Sequence, residues 1–180
     1  MEKKFELTDK FVFNTFGIKL FQIKCTKSFK YAKEGDLGGY VEKDENLDQE
    51  SDAWVYGNAQ VSGNAQVSGD AWVSGNARVS GNAQVSGDAW VSGDTQVSGD
   101  ADIENDNNHC GFDCFGSFNR HTHAYLTKDN KVEITCGCFR GSIEEFEKKV
   151  EKTHSGTIYE KQYKAIINVI KIKFGLTDLI

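Results

Sequence analysis

The chain has 180 residues, a length that allows one or two domains with a hydrophobic core. Its net charge is −6, and residues 51–103 account for −5 of it through six aspartates and one arginine. An acidic segment disfavours a nucleic-acid phosphate backbone as its ligand and favours a protein partner with a basic surface.

The cellular compartment is indicated by the N-terminus and the cysteines. The first ten residues, MEKKFELTDK, are charged and lack the apolar core of a signal peptide. No apolar run approaches the length of a membrane span. Five cysteines without an export signal are typical of a reducing compartment. We therefore expect a cytoplasmic protein with no membrane association.

The first predicted domain covers residues 1–36. Short alternating apolar stretches in residues 5–25, interrupted by a turn at Asn14–Gly17, predict a β-hairpin. Residues 26–36 are a polar connector. Because the end of a parallel β-helix presents unpaired backbone groups, we expect the hairpin to act as its cap.

The second predicted domain, residues 37–104, is dominated by a six-residue repeat. It begins SDAWVY at Ser51 and continues as GNAQVS or a close variant through Ile103. Tryptophan recurs every eighteen residues, so three repeats make one turn of a solenoid of stacked parallel strands. Before the regular repeat, Leu47 and Val55 are eight residues apart instead of six. This spacing predicts an imperfect first coil with a two-residue irregularity.

This repeat resembles the hexapeptide-repeat, left-handed β-helix family, whose pattern places a small residue four positions after an aliphatic one, as in Val61 and Ala65. The left hand is implied by the resemblance alone. The predicted fold is therefore mainly β: a left-handed parallel β-helix of hexapeptide repeats, three per coil, with a small α+β C-terminal domain.

The third predicted domain, residues 105–180, lacks the six-residue repeat. Residues 104–117 form a polar linker, and HTHAYLT and KVEITCG are two alternating strands. Ser142 with Glu145, and Thr157 with Glu160, are helix-start signals. We predict a ββαα domain. FELTDK, GDLGGYVEKDENL, the hexads and CGCFRGSIEEFEKKVEKTH together resemble uncharacterised phage and prophage hexapeptide-repeat proteins, which implies an intracellular accessory protein.

A binding surface is predicted where one wall of the solenoid carries tryptophans beside aspartates. Three outward indoles in a line make an apolar patch that soluble monomers usually avoid. An alternative is that the N-terminal hairpin or the C-terminal domain packs over these rings. The adjacent carboxylates weaken a third reading, the stacking of single-stranded bases. The residues are Trp54, Trp72, Trp90, Asp52, Asp70 and Asp88.

Cysteines and histidines after residue 104 raise two hypotheses, a zinc site and a nucleophilic cysteine. A zinc site would draw on the pairs C-x3-C, H-x-H and C-x-C, but these are not the usual zinc spacings. A nucleophilic Cys138 with His121 or His123 is possible by residue type. The residues concerned are His109, Cys110, Cys114, His121, His123, Cys136 and Cys138.

The function predicted is non-enzymatic, with no catalytic residue, metal or cofactor assigned. We expect a homo-oligomer that binds a host protein with a basic surface, as an anti-defence inhibitor. The first alternative is an acyltransferase-like enzyme or one using the cysteines and histidines; known enzymes on this scaffold use a histidine between coils, and the hexads contain none. The second is a structural virion component.

Overall fold

The computed structural model describes residues 2–176, and the chain divides after Asp106 into two compact units. The first unit contains the hairpin and the repeat. The second contains the remaining strands and two helices. No helix in residues 2–176 is long and apolar enough to span a bilayer.

The repeat of residues 51–103 folds as a β-solenoid. Each six-residue unit supplies one strand of two residues, and the strands of successive coils, which are eighteen residues apart, pair in parallel. Three successive strands therefore lie on three different walls, and the solenoid has about four turns. The strands are β4 (Trp54–Val55), β5 (Gln60–Val61), β6 (Gln66–Val67), β7 (Trp72–Val73), β8 (Arg78–Val79), β9 (Gln84–Val85), β10 (Trp90–Val91), β11 (Gln96–Val97) and β12 (Asp102–Ile103).

The core of the solenoid consists of the aliphatic residue of each unit and the small residue two positions before it. Both are buried in every unit from Ala53 and Val55 to Ala101 and Ile103. The residue between them points to the opposite side of its strand, because side chains alternate along an extended chain. The predicted β-solenoid with its inward aliphatic positions is thus confirmed.

The first coil departs from the regular repeat. Strand β3 (Leu37–Val41) pairs in parallel with β5 and places Val41 beside Val61, and Leu47 bridges to Val67. Both pairs are twenty residues apart instead of eighteen. The two extra residues therefore fall between Leu47 and Val55, where the sequence indicated an irregularity.

A β-hairpin extends one wall of the solenoid. It consists of β1 (Phe5–Phe13) and β2 (Lys19–Cys25), and the Asn14 side chain holds its turn by accepting from the backbone N–H of Phe16 and of Ile18. Strand β2 pairs antiparallel with β3. The sheet β1-β2-β3-β5-β8-β11 results, so the hairpin covers the edge that the first coil would otherwise expose on this wall.

The second unit is a four-stranded antiparallel sheet followed by two helices. The elements are β13 (His109–Phe115), β14 (Arg120–Leu126), β15 (Val132–Cys136), β16 (Phe139–Ser142), α1 (Ile143–His154) and α2 (Ile158–Lys173). The expectation of two strands is wrong, because β13 lies in the predicted linker and β16 was missed. Strand β13 is largely exposed, contains Gly111 and bends at Cys114 with a φ of +63°, so it lacks apolar alternation.

Both helices begin where the sequence indicated. The Ser142 hydroxyl accepts from the N–H of Glu145, and the Glu145 carboxylate accepts from the N–H of Ser142, which is a complete capping box. The Thr157 hydroxyl caps α2 by accepting from the N–H of Glu160. The helices pack on one sheet face through a core that includes Ala124, Ile134, Cys136, Phe146, Val150, Tyr163, Ile166, Ile167 and Ile170.

Candidate functional site

The three tryptophans occupy one wall of the solenoid, the sheet β4-β7-β10. Trp54 pairs with Trp72, and Trp72 pairs with Trp90, so the three residues form a single file. The eighteen-residue spacing predicted this file. It does not predict how much of each ring meets solvent, and here the three differ.

The prediction that all three indoles face solvent is wrong for Trp54, which is only 1% exposed. The rings of Phe5 and Phe29 contact it edge-on, with centroid distances of 6.5 and 5.4 Å. Phe5 belongs to β1 and Phe29 to the connector before β3. The N-terminal segment therefore packs over this tryptophan, which is the alternative that the sequence left open.

Trp72 is half-buried between two tyrosines. Tyr31 meets it edge-on at 5.0 Å, and Tyr56 stacks on it at 5.8 Å. Tyr31 also donates from its hydroxyl to the carbonyl of Asp70. Most of the middle of the file is thus occupied by aromatic residues of the same chain.

The aspartate row is shielded in the same order. Asp52 is half-buried, Asp70 forms an ion pair with Lys30 at 2.8 Å, and Asp88 is exposed. The Asp70 carboxylate raises the pKa of Lys30 by binding its charged form. The connector therefore neutralises the middle carboxylate as well as covering the middle indole.

Trp90 is the tryptophan that remains accessible, with 59% of its surface exposed. Its backbone is held by pairing with Trp72, and its N–H donates to the Asp106 carboxylate at 2.9 Å. A fixed backbone leaves only side-chain freedom to be lost when a partner binds. We define the exposed pair Trp90 and Asp88 as the terminal Trp/Asp site.

Lys4 is a buried cation at the opposite end of this wall, a position that its sequence context did not indicate. Within the wall, Ala71 accepts a backbone hydrogen bond from Trp54. Ala53 belongs to the first coil, and its carbonyl accepts from Lys4 Nζ at 2.9 Å, while the carbonyl of Ser51 accepts at 2.7 Å. The ammonium group thus caps an edge that no earlier coil reaches on this wall.

Burial lowers the pKa of Lys4 to about 8, although Asp48 and Asp52 favour its charged form. In the unfolded chain the pKa of a lysine is about 10.4. Between these pH values the unfolded state holds a proton that the folded state has lost. We therefore expect this group to add stability as the pH rises from 8 to about 10.4, and to contribute no slope below 8.

The measurement is the free energy of urea unfolding at several pH values for the wild type and Lys4→Met. Tryptophan fluorescence reports on the first unit alone, because Trp54, Trp72 and Trp90 all lie there. We expect the advantage of the wild type over the variant to grow with pH in this window. Lys3→Met is the control, since Lys3 is exposed and Asp44 raises its pKa. If the free energy of unfolding changes with pH in the same way for the wild type and Lys4→Met, the lowered pKa of Lys4 is contradicted.

Three histidines of the second unit, His109, His121 and His123, lie on the sheet face away from the helices. His121 and His123 alternate along β14 with Ala124, which packs in the helix core. His109 Nδ1 and His123 Nε2 are 2.9 Å apart, and His121 Nδ1 lies 2.5 Å from Asp113 Oδ1. In residues 2–176 no three histidine, cysteine or acidic side chains are arranged to hold a metal.

The cysteines are not arranged with those histidines. Cys136 is buried in the helix core, and burial raises the pKa of the Cys110 thiol to about 11. Cys138 lines a small cavity beside the helices together with His154. The proposed pairing of Cys138 with His121 or His123 is therefore not supported, because the two histidines project from the other face of the sheet.

Comparison with known proteins bears on the repeat. The family model described as YdcK Beta solenoid repeat matches residues 59–75, 71–84 and 83–99. A search of curated proteins found no match. The matched segments run continuously from residue 59 to residue 99, which includes strands β5 to β11 and is less than half of the chain. The repeat region is therefore similar to YdcK β-solenoid repeats, in agreement with the stacked coils described above.

Proposed function

We propose that this chain is a non-enzymatic, phage-type accessory protein that binds a basic surface of a host protein through the terminal Trp/Asp site. We further propose that its solenoid is left-handed and of the hexapeptide type. The protein would act in the host cytoplasm as a homo-oligomer, and its partner would be a defence enzyme whose basic channel normally holds nucleic acid.

The observation that carries this proposal is the exposure of Trp90 on a wall where the other two indoles are covered. Tryptophan is enriched among residues that dominate protein interfaces, because it buries a large apolar area with few rotatable bonds. The strand beneath it is held by the neighbouring coil. A partner would therefore meet an anchor that is already positioned.

Charge supports a basic partner. The repeat carries −5, and the carboxylate of Asp88 beside Trp90 is exposed. An acidic surface speeds encounter with a basic one, and the effect falls as salt screens it. Enzymatic alternatives have less support, since residues 51–103 contain no histidine for acyl transfer and Cys138 faces away from His121 and His123.

The test compares two double variants in affinity capture from host lysate with quantitative mass spectrometry. Trp90→Ala with Asp88→Asn removes the terminal Trp/Asp site. Gln96→Ala with Asp94→Asn changes the same two repeat positions on another wall, with the same loss of charge. The control should capture as much of a specific partner as the wild type does. The first variant should capture at least about tenfold less.

Direct binding of the captured protein by calorimetry then checks the mechanism. The dissociation constant should rise with salt, and the partner should present a basic patch. A partner retained equally by both variants, or bound independently of salt, would contradict the proposal. Light scattering of the same proteins shows separately whether the chain self-associates and whether Trp90 contributes to that contact.

A further inference from the structure

The second unit contains a small cavity that the proposed function does not use. It has a volume of about 130 Å³ and opens beside α1 and the turns that precede β14 and β16. Its inner wall is formed by buried side chains, namely Cys136, Phe146, Val150 and Tyr163. This volume is on the scale of one aromatic ring, since a dry cavity of about 150 Å³ binds benzene.

The rim of the cavity is cationic. Arg120 and Lys149 supply its positive charge, His154 also lines it, and none of the described lining residues is a carboxylate. Elsewhere in the unit basic side chains meet acids, as Lys171 does with Glu147 at 2.6 Å. Arg120 instead lies over the ring of Phe118 at 4.9 Å. The positive charge at the rim therefore faces an opening and has no carboxylate of the cavity to balance it.

The walls suit a flat ring. His154 stacks on Tyr163 with a centroid distance of 5.5 Å, and Phe139 packs against Phe146 at 5.0 Å. The Tyr163 hydroxyl lies 3.7 Å from Cys136 Sγ. Burial and the neighbouring thiol raise the pKa of Tyr163 to about 12, so its hydroxyl stays neutral and keeps its proton.

We propose that this cavity binds a small aromatic carboxylate, with its ring between the aromatic walls and its anionic group at Arg120 and Lys149. The apolar floor excludes water from the ring. The two cations offer charge-assisted hydrogen bonds to the carboxylate, and the guanidinium of Arg120 can donate two of them in parallel. Neither a neutral ring nor an anion without a ring satisfies both halves of the cavity.

The experiment is a titration of the full-length, ¹⁵N-labelled protein followed by NMR, with benzoate as the probe. Benzyl alcohol supplies the ring without the charge, and acetate supplies the charge without the ring. We expect benzoate to bind with a dissociation constant of about millimolar, as suits so small a ligand. It should shift amides of residues 117–120, 136–139 and 149–154, and bind at least about tenfold tighter than either comparison compound.

Three variants separate the site from a general charge effect. Arg120→Gln and Lys149→Gln should each weaken benzoate binding about tenfold. Lys152→Gln, on the same helix but outside the cavity lining, should leave it unchanged. All three side chains are exposed, and the spectrum of each variant verifies the fold.

Several results would overturn the proposal. These are equal affinity for benzyl alcohol and benzoate, shifts that do not saturate, and equal weakening by Lys152→Gln. Tighter binding of a phosphotyrosine peptide than of benzoate would also overturn it, because the cavity would then be assigned to a protein ligand. None of these outcomes depends on the terminal Trp/Asp site of the first unit.

Discussion

Replacing Trp54 with alanine is expected to lower the free energy of unfolding of the first unit by about 3–5 kcal/mol, the usual cost of truncating a large buried aromatic side chain. Trp54 is 1% exposed and lies against Phe5 and Phe29, which come from outside the repeat. The truncation leaves a cavity between the solenoid and its N-terminal segment. Docking of that segment should therefore weaken together with the stability of the coils.

The matched control is Trp90→Ala, which changes the equivalent position of a later repeat unit on the same wall. Trp90 is 59% exposed, so its removal should cost less than about 1 kcal/mol. The measurement is urea unfolding followed by the fluorescence of the two tryptophans that remain in each variant. Similar losses of stability in the two variants would show that the N-terminal segment does not bury Trp54.

These two residues show what periodicity predicts and what it omits. The eighteen-residue recurrence of tryptophan predicts a single file, since backbone pairing fixes the register of stacked coils. Burial of Trp54 depends on Phe5 and Phe29, which belong to segments with no repeat of their own. The covering of one coil and the exposure of another therefore depend on contacts distant in sequence, and identical units do not encode them.

The C-terminal elements show the same division. Both helix starts follow from local hydrogen bonds, as between Ser142 and Glu145, and the residues that form such bonds are only three positions apart in the sequence. Strand β13 exists because β14 offers it a partner, although its own residues do not alternate. The cavity near Arg120 brings together four separate stretches of the second unit. Nothing in any one stretch indicates it.

The edge of the first coil is the feature whose chemistry was least visible in the sequence. Lys4 sits in a run of charged residues, MEKK, that is typical of a solvated terminus. Its role follows from two carbonyl groups that have no preceding coil as a partner. A search for unpaired backbone groups at solenoid ends, followed by a search for nearby lysines, would have identified it.

The corner glycines allow a second test of the stacked coils. Gly69 has a φ of +68°, and an added Cβ would lie 2.8 Å from the nitrogen and 2.9 Å from the oxygen of Gly87 in the next coil. Both are backbone atoms, and they cannot move aside without disturbing the pairing of the coils. We expect Gly69→Ala to cost about 2–4 kcal/mol, from left-handed strain and overpacking together.

Gly93→Ala separates these two causes. Gly93 has a φ of +71°, but an added Cβ there would meet nothing within 4 Å. It should therefore cost about 1 kcal/mol, from backbone strain alone. Urea unfolding followed by tryptophan fluorescence measures both variants against the wild type. If the two substitutions cost the same, glycine is required at these corners for its conformation only, and the close approach of successive coils at Gly69 and Gly87 adds no constraint.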